Sequence, residues 1–259
     1  MKQLRYLPIL ALAVVAAAPQ APAQSTSDID PDAMAALNKM GTYLRSLKAF
    51  QIRAAITSES VLDDGQKVET DLVADLLVDK PDKLRMEATG DKQHRTYFYD
   101  GKTFTLFAQR LNFYATVPAP PTIVELIDTL DEKFDIELPL VDMFTWGTPR
   151  AAVREIKSAM DLGPTSIGGV TCEQFAFRQP GIDWQIWIQN GDYPLPRKLV
   201  ITTLTDEARP QYTSVYTWNL APSFNEAAFV FDKPKDALKI TFADVQGARS
   251  GADREEKDK

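Results

Sequence analysis

The chain has 259 residues, of which 44% are hydrophobic and 25% are charged, and its formal net charge is −7. This composition is sufficient for a globular core, and the length allows one large domain or two small ones. The acidic balance argues against nucleic acid as a partner, because phosphate binding needs a basic face. It argues equally against tight electrostatic docking on anionic lipid headgroups.

The first 23 residues have the three-part pattern of a cleavable signal peptide. Lys2 and Arg5 form a short positive region, residues 7–18 are an apolar stretch, and residues 21–23 (Ala-Pro-Ala) have the small-x-small spacing of a cleavage site. As a helix the apolar stretch would rise only about 18 Å, too little for the hydrocarbon core of a bilayer. We therefore expect export to the periplasm, a polar leader at 24–29, and a mature charge of −9 once Lys2 and Arg5 are removed.

Cys172 is the only cysteine in the sequence. An intramolecular disulfide is therefore excluded, and no cysteine follows the signal peptide to carry a lipid anchor, so we expect a protein that is not a lipoprotein. We interpret Cys172 as a small buried hydrophobe on a strand, with a free nucleophilic thiol as the alternative. No later segment has eighteen uninterrupted apolar residues, so the pattern predicts no membrane-spanning helix.

A helix and then a run of strands are predicted for the first half of the chain. Asp30 precedes Pro31 as an N-cap precedes a first helical proline, and an apolar stripe over residues 31–48 predicts an amphipathic helix. From Phe50 to Val117 the apolar period is two, which is typical of an antiparallel sheet with one solvated face. The predicted turns are Asp63-Asp64-Gly65, Lys80-Pro81-Asp82 and Asp100-Gly101.

Residues 118–160 interrupt the strand pattern with short helices. Thr122 and Glu125 have the spacing of a capping box before an apolar stripe. A second apolar turn follows at 138–146, and Thr148-Pro149 is predicted to begin a third helix that extends to Met160. We expect these helices to cover the apolar face of the sheet.

Strands are predicted to resume after a turn at Gly163-Pro164. The result is an α+β fold, in which a strongly curved antiparallel sheet carries helices on one face. We expect a single domain at 30–245 and a disordered charged tail at 246–259. The predicted strands cover residues 172–177, 184–188, 197–204 and 211–218, with a short last strand at Phe229–Phe231.

Few residues in the sequence indicate catalysis or metal binding. His94 is the only histidine, and we interpret it as a surface or strand residue, which excludes a zinc site. A nucleophile elbow and a Gly-rich phosphate loop are both missing. Asp183 beside Trp184 resembles a sugar-stacking site, yet Trp184 and Trp187 point to opposite faces of one strand, so one of them is expected in the core.

These observations predict a protein that is not an enzyme and that uses neither metal nor cofactor. A hydrolase acting on sugars or esters through Asp183 or His94 is the weaker alternative.

A large apolar surface lies on one face of the predicted sheet. It is either a filled core beneath the helices or the lining of a cavity open to an apolar ligand, and periodicity does not separate the two. The candidate lining residues are Leu72, Leu76, Leu84, Met86, Phe104, Leu106, Phe175, Phe177 and Trp184.

Several short motifs are similar to those of known periplasmic carriers. Lys80-Pro81, Leu84-Arg85-Met86 and residues 99–104 (Tyr-Asp-Gly-Lys-Thr-Phe) resemble the lipoprotein carrier LolA and its relatives LolB, the LppX-type lipid carriers and the sensor domain of RseB. Residues 229–231 (Phe-Val-Phe) with Pro234 are similar to the ending of that fold.

A narrower resemblance is to a family of predicted periplasmic proteins known only as a domain of unknown function. It rests on residues 183–188 (Asp-Trp-Gln-Ile-Trp-Ile), on residues 194–198 and on residues 216–219 (Tyr-Thr-Trp-Asn). The similarity covers residues 30–243.

The carrier resemblance implies an unclosed β-barrel whose concave face is capped by helices around a cavity for acyl chains. It also implies that Lys80 contacts the lid, since LolA has an arginine at this corner that holds the lid closed. Lysine lacks the planar fork of arginine, so a lid here would be held differently.

Together these observations lead to the hypothesis of a monomeric periplasmic protein that holds a lipid or other amphiphile between sheet and helices. An envelope sensor that binds a protein partner, as RseB does, is the alternative.

Overall fold

The computed structural model describes residues 28–243. The predicted signal peptide and the predicted tail at 246–259 lie outside the described residues. The helices are α1 (Pro31–Ser46), α2 (Ile123–Phe134) and α3 (Asp142–Thr145), with short 3-10 turns at Pro149–Ala151, Val153–Glu155 and Glu226–Phe229. The strands are β1 (Ala49–Val61), β2 (Lys67–Asp79), β3 (Lys83–Gly90), β4 (His94–Tyr99), β5 (Thr103–Ala108), β6 (Phe113–Pro118), β7 (Ser158–Ile167), β8 (Val170–Gln179), β9 (Ile182–Gln189), β10 (Pro196–Thr203), β11 (Gln211–Asn219) and β12 (Leu238–Lys239).

These strands form one sheet in the order β12-β6-β5-β4-β3-β2-β1-β11-β10-β9-β8-β7. Neighbouring strands are antiparallel, except that β12 runs parallel to β6. The first and second halves of the sheet meet where β1 pairs with β11, Ile52 lying opposite Trp218 and Ile56 opposite Ser214. Because β7 and β12 lie at opposite ends of this order, the sheet is an unclosed barrel, as predicted.

The core lies between the concave face of the sheet and the helices. Alternate residues of the central strands are buried, as period two requires, and the opposite residues face solvent. In α1 the buried residues Ala33, Leu37, Met40 and Leu44 form one stripe that belongs to the same core cluster. The fold is therefore the α+β arrangement that the sequence predicted.

Capping residues next to each helix in the sequence determine where the two main helices begin. The Asp30 carboxylate accepts a hydrogen bond from the Asp32 N–H at 2.8 Å, which confirms the predicted N-cap. The Thr122 Oγ1 accepts from the Glu125 N–H and donates to the Glu125 carboxylate, which confirms the capping box at α2. Helix α1 ends at Ser46, because Leu47 is already extended and leads into β1.

The prediction of a third helix that extends to Met160 is wrong. Two 3-10 turns replace it, separated by Ala152 with a φ of 49°, a left-handed conformation that interrupts a helix. Met160 lies on β7, where it is 54% exposed. Pairing of β7 with β8 therefore overrides the helical spacing of the apolar residues.

Two other local predictions are also wrong. Gly163-Pro164 is not a turn but lies inside β7, at a bulge where the register with β8 shifts and Gly163 has a φ of 90°. Residues 229–231 form no strand, because Phe231 packs on the outer rings of Phe98, Phe107 and Tyr114 at 5.0–5.5 Å. Packing on the sheet surface, and not strand pairing, holds this segment.

Candidate functional site

Most of the candidate lining residues lie together in the core beneath the helices. Leu72 and Leu106 are half-buried at its margin. Trp184 stacks on Phe177 at 4.2 Å, and its indole N–H donates to the Gln179 Oε1 at 2.6 Å. The others are buried, and four of them have at most 1% of their surface exposed: Leu76, Leu84, Met86 and Phe104.

Open space is found at one end of the concave face, and we call it the mouth cleft. It lies between the ends of β1, β2, β10 and β11 and the segment Glu137–Asp142, and its volume is about 410 Å³. Such a volume is typical of small-ligand sites. The lining residues are Ile56, Ser58, Thr70, Leu72, Gln93, Glu137, Leu138, Pro139, Leu140, Val141, Asp142, Ile201 and Tyr212.

Strand register brings the floor of the mouth cleft together. One row across the sheet contains Thr70, Ser58, Tyr212 and Ile201, each opposite the next. In the next row Leu72 lies opposite Ile56. Four strands from both halves of the sheet therefore contribute inward side chains to one surface.

The chain between α2 and α3 forms the opposite wall. Helix α2 ends at Phe134, and its C-cap Asp135 has a φ of 55°, which reverses the chain. The Asp135 N–H donates to the Asp131 carbonyl. Leu138 and Leu140 then bury their side chains against the core, while Glu137 is exposed at the rim. The wall facing the sheet is therefore apolar, with a carboxylate at its edge.

Asp142 is the polar side chain of this wall that has no bonding partner among the described residues. It is half-buried in the mouth cleft, and among residues 28–243 its carboxylate has neither a hydrogen bond nor an ion pair. Burial raises the pKa of Asp142, and the neighbouring Glu137 raises it further. The lining residues include no lysine, arginine or histidine.

Polar residues of β11 continue beneath the cleft. Burial raises the pKa of Tyr212 to about 12, an effect that the neighbouring Ser214 hydroxyl partly offsets, and burial raises the pKa of Tyr216 as well. Ser214 lies between them on the same face, directly opposite Ile56. Its hydroxyl is fully buried beside both tyrosine side chains.

Lys80 lies at a corner that joins the sheet to both main helices. Its ammonium donates to the Leu44 carbonyl in the last turn of α1 at 2.9 Å, and its backbone N–H donates to Lys48 at 2.8 Å. The Pro81 carbonyl accepts from the N–H of Ile123, the first residue of α2. Burial lowers the pKa of Lys80, and repulsion from Arg45 lowers it further. The structure thus places Lys80 against α1, where the carrier resemblance implied a lid contact.

A second contact holds α1 against the segment that follows α3. A Cβ added at Gly41 would lie 2.7 Å from the backbone of Gly147, so these two backbones touch where only glycine fits. The Arg45 guanidinium donates to the Gly147 carbonyl.

The residues considered for catalysis lie apart from one another and from the cleft. His94 on β4 bonds Glu87 at 2.8 Å. Asp183 accepts two hydrogen bonds from Arg178 at 2.7 and 2.8 Å, which lower the pKa of Asp183, and it lies on the face of β9 opposite to Trp184. Trp184 is 5% exposed and its ring stacks on Phe177, so it offers almost no free surface on which a sugar could stack.

Cys172 is buried on β8, as predicted for a small hydrophobe. It packs with Trp187 and Val200 in a small cluster separate from the main core, and burial raises the pKa of the thiol. A raised pKa disfavours the reactive thiolate.

Metal binding and membrane crossing both bear on what residues 28–243 can do. Within this range, no group of three or more histidine, cysteine or acidic side chains could hold a metal ion. In the same part of the chain, no helix combines the length and hydrophobicity needed to cross a bilayer.

A larger depression of about 570 Å³ has a different character. Its lining comes from β1, β2 and β3 and from the turn residues Asp91 and Arg110, so no helix or loop segment covers it. Without a cover it gives a ligand little burial, and we prefer the mouth cleft as the candidate site.

Sequence reasoning identified one residue of the mouth cleft, Leu72. Ile56 and Ile201 carried a usable signal, because both occupy inward positions of the period-two pattern. The sequence predicted that the apolar turn at 138–146 covers the sheet, but nothing in it placed Leu138, Leu140 and Asp142 at a cleft, since their positions depend on how the chain turns back over the sheet after α2.

Solved structures of three other proteins are similar to this one. An uncharacterised conserved protein from Thermus thermophilus is 12% identical, with a TM-score of 0.46 over 81% of this chain and 99% of that chain. The lipoprotein LppX of Mycobacterium tuberculosis is 10% identical, with a TM-score of 0.40 over 76% and 100%. A LolA superfamily protein from Nitrosomonas europaea is 10% identical, with a TM-score of 0.32 over 77% and 98%.

No curated protein sequence matches the chain. A family model described as "Predicted periplasmic protein (DUF2092)" matches residues 33–243, which confirms the narrower of the two resemblances. The chain therefore belongs to the DUF2092 family of predicted periplasmic proteins.

Proposed function

We propose that this protein is a periplasmic binding protein that holds the apolar part of a lipid or other amphiphile in the mouth cleft, without chemical conversion. The observation that carries the proposal is a cleft of about 410 Å³ in which seven of the thirteen lining residues are aliphatic. Each methylene group removed from water contributes about 0.8 kcal/mol, so even a short acyl segment would be held without any polar contact.

The surroundings of the cleft support entry at this end of the sheet. The segment that forms its wall also borders a second, smaller cleft of about 160 Å³ on its α2 side, lined by Ile127, Ile136 and Val141 among others. The deeper candidate residue Met86 is fully buried, so a ligand in the cleft contacts Leu72 at the entrance and not Met86.

Blocking the cleft with a large side chain tests the proposal. Delipidated protein is titrated with Nile red, a neutral dye that fluoresces in apolar sites, and the dye is then displaced with dodecanol. We expect Ile201→Trp to weaken binding at least about tenfold, because the indole occupies the floor. The matched control, Val215→Trp, places the same side chain on the exposed outer face of β11 and should change the affinity less than about twofold.

Two results would count against the proposal. One is the absence of dye and dodecanol binding by the wild-type protein together with no amphiphile in protein purified without detergent. The other is an equal effect of both tryptophan substitutions. A stoichiometric protein captured from envelope extract in place of any amphiphile would favour the sensor alternative.

A further inference from the structure

The mouth cleft has a charge pattern as well as an apolar surface. Its lining contains two carboxylates, Glu137 at the rim and Asp142 on the wall, and no basic side chain. Both belong to the same segment, so they face the same opening.

Asp142 distinguishes the mouth cleft from an ordinary acidic surface. A carboxylate partly removed from water is normally paired, because an unpaired buried charge is costly. Asp142 has no partner among residues 28–243, and its side chain opens into a cleft with room for a ligand.

We propose that the amphiphile bound in the mouth cleft carries an aliphatic ammonium group as its polar end, which pairs with Asp142 while Glu137 guides it at the rim. This inference rests on the proposed function and names the ligand class that the same site selects. The ammonium supplies the donor that the carboxylate lacks. A carboxylate, sulfate or phosphate end would instead meet two like charges with no base to offset them.

Three ligands with the same chain and different ends test the inference: dodecylammonium, dodecanol and dodecanoate, each below its micellar concentration at pH 7.5. Displacement of Nile red gives the three affinities. We expect the wild-type protein to prefer dodecylammonium over dodecanoate by at least about tenfold, with dodecanol between them. Butylammonium, which has the charge without the long chain, should bind far more weakly, which separates a lipid-like ligand from a free small amine.

Variants then locate the selectivity. Asp142→Asn should reduce the preference for dodecylammonium over dodecanol about tenfold, and Glu137→Gln should reduce it less because that side chain is exposed. Glu132→Gln, at an exposed position of α2 outside the cleft, removes the same charge and is the control for the overall acidity of the protein. Thermal melting confirms that each variant is folded.

The outcomes separate this inference from the proposed function. Equal binding of all three ligands, or the same loss in Asp142→Asn and Glu132→Gln, would overturn the ammonium preference while the apolar site stands. If dodecanol and Nile red both fail to bind, the proposed function falls and this inference falls with it. Tighter binding of dodecanoate than of dodecylammonium would show that the cleft prefers a negatively charged end, which contradicts the inference.

Discussion

Asp142 lies between Val141 and Met143 at the start of α3, with Glu137, Tyr212 and Tyr216 as the ionisable groups that face it. None of these neighbours carries a positive charge at neutral pH. The carboxylate is therefore destabilising when ionised, and a ligand with a positive end would remove that cost. Groups retained against stability in this way are expected at functional sites.

The raised pKa of Asp142 leads to a pH-dependent stability. Between the ordinary pKa of aspartate and the higher folded value, the folded state binds more protons than the unfolded state, so this group lowers stability as pH rises through that window. Asp142→Asn lacks the charge. We expect its Tm to exceed that of the wild-type protein at pH 7, because the variant lacks the charge that burial disfavours.

Thermal melts of both proteins from pH 3 to pH 8 check this. Below the ordinary aspartate pKa the two curves should converge, because Asp142 is then protonated in both the folded and the unfolded state. Glu132→Gln should not reproduce the effect. A wild-type protein that is more stable than Asp142→Asn at pH 7 would mean that the carboxylate has a favourable partner.

At the scale of elements, the placement of α1 depends on contacts at its C-terminal half. Lys80 binds the carbonyl of its last turn, and Gly41 lies on the backbone of Gly147. A cation near the C-terminal carbonyls of a helix is favourable for both charge and hydrogen bonding. These two contacts hold the C-terminal half of α1 over the concave face.

Substitution of Lys80 tests the first contact. Lys80→Met keeps the length of the buried stem and removes the donor, which leaves the Leu44 carbonyl unpaired at a cost of about 1–2 kcal/mol, partly offset because a desolvated ammonium is also removed. We expect a lower Tm and faster hydrogen exchange in the last turn of α1. Lys80→Arg keeps a donor, so its Tm and its rate of hydrogen exchange should lie between those of the wild-type protein and of Lys80→Met. Unchanged exchange in that turn would show that Lys80 does not hold the helix.

At the scale of the whole molecule, two halves of one sheet share a packed core. The β1–β11 pairing joins them, and the mouth cleft opens at the end of these same strands. Away from this end, the concave face is in contact with helices, and its largest side chains have almost no exposed surface. The space for a ligand and the packed core that stabilises the fold therefore lie at different positions along the strands.

Truncation of two leucines on β2 tests this separation. Leu76 is buried at the centre, so Leu76→Ala should lower the free energy of unfolding by about 2–5 kcal/mol. Leu72 borders the cleft and is half-buried, so Leu72→Ala should cost about 1 kcal/mol or less and should weaken dodecanol binding. Urea denaturation and the dye assay give both values. A small cost at Leu76 would instead indicate a deep cavity beneath the helices.

The sequence by itself determined the parts of this protein that depend on near neighbours in the chain. The N-cap at Asp30, the capping box at Thr122 and the alternation along β2 each involve residues a few positions apart, so the pattern and the structure agree. Local spacing failed where long-range pairing prevailed, as at Met160, which has helical spacing but lies on β7 because β8 offers it a partner strand. Sheet order and concave packing followed from the family resemblance more than from the pattern.

Tertiary structure alone decided the candidate site. Leu72, Ile201 and Asp142 are far apart in the chain. They line one cleft because strand register places the first two in neighbouring rows of the sheet and the left-handed residue Asp135 turns the third back over them. No local pattern records such a meeting, since each residue type is also common in an ordinary strand or turn. The sequence determined that one face of the sheet would be apolar; only packing decided which part of that face the helices fill and which part stays open.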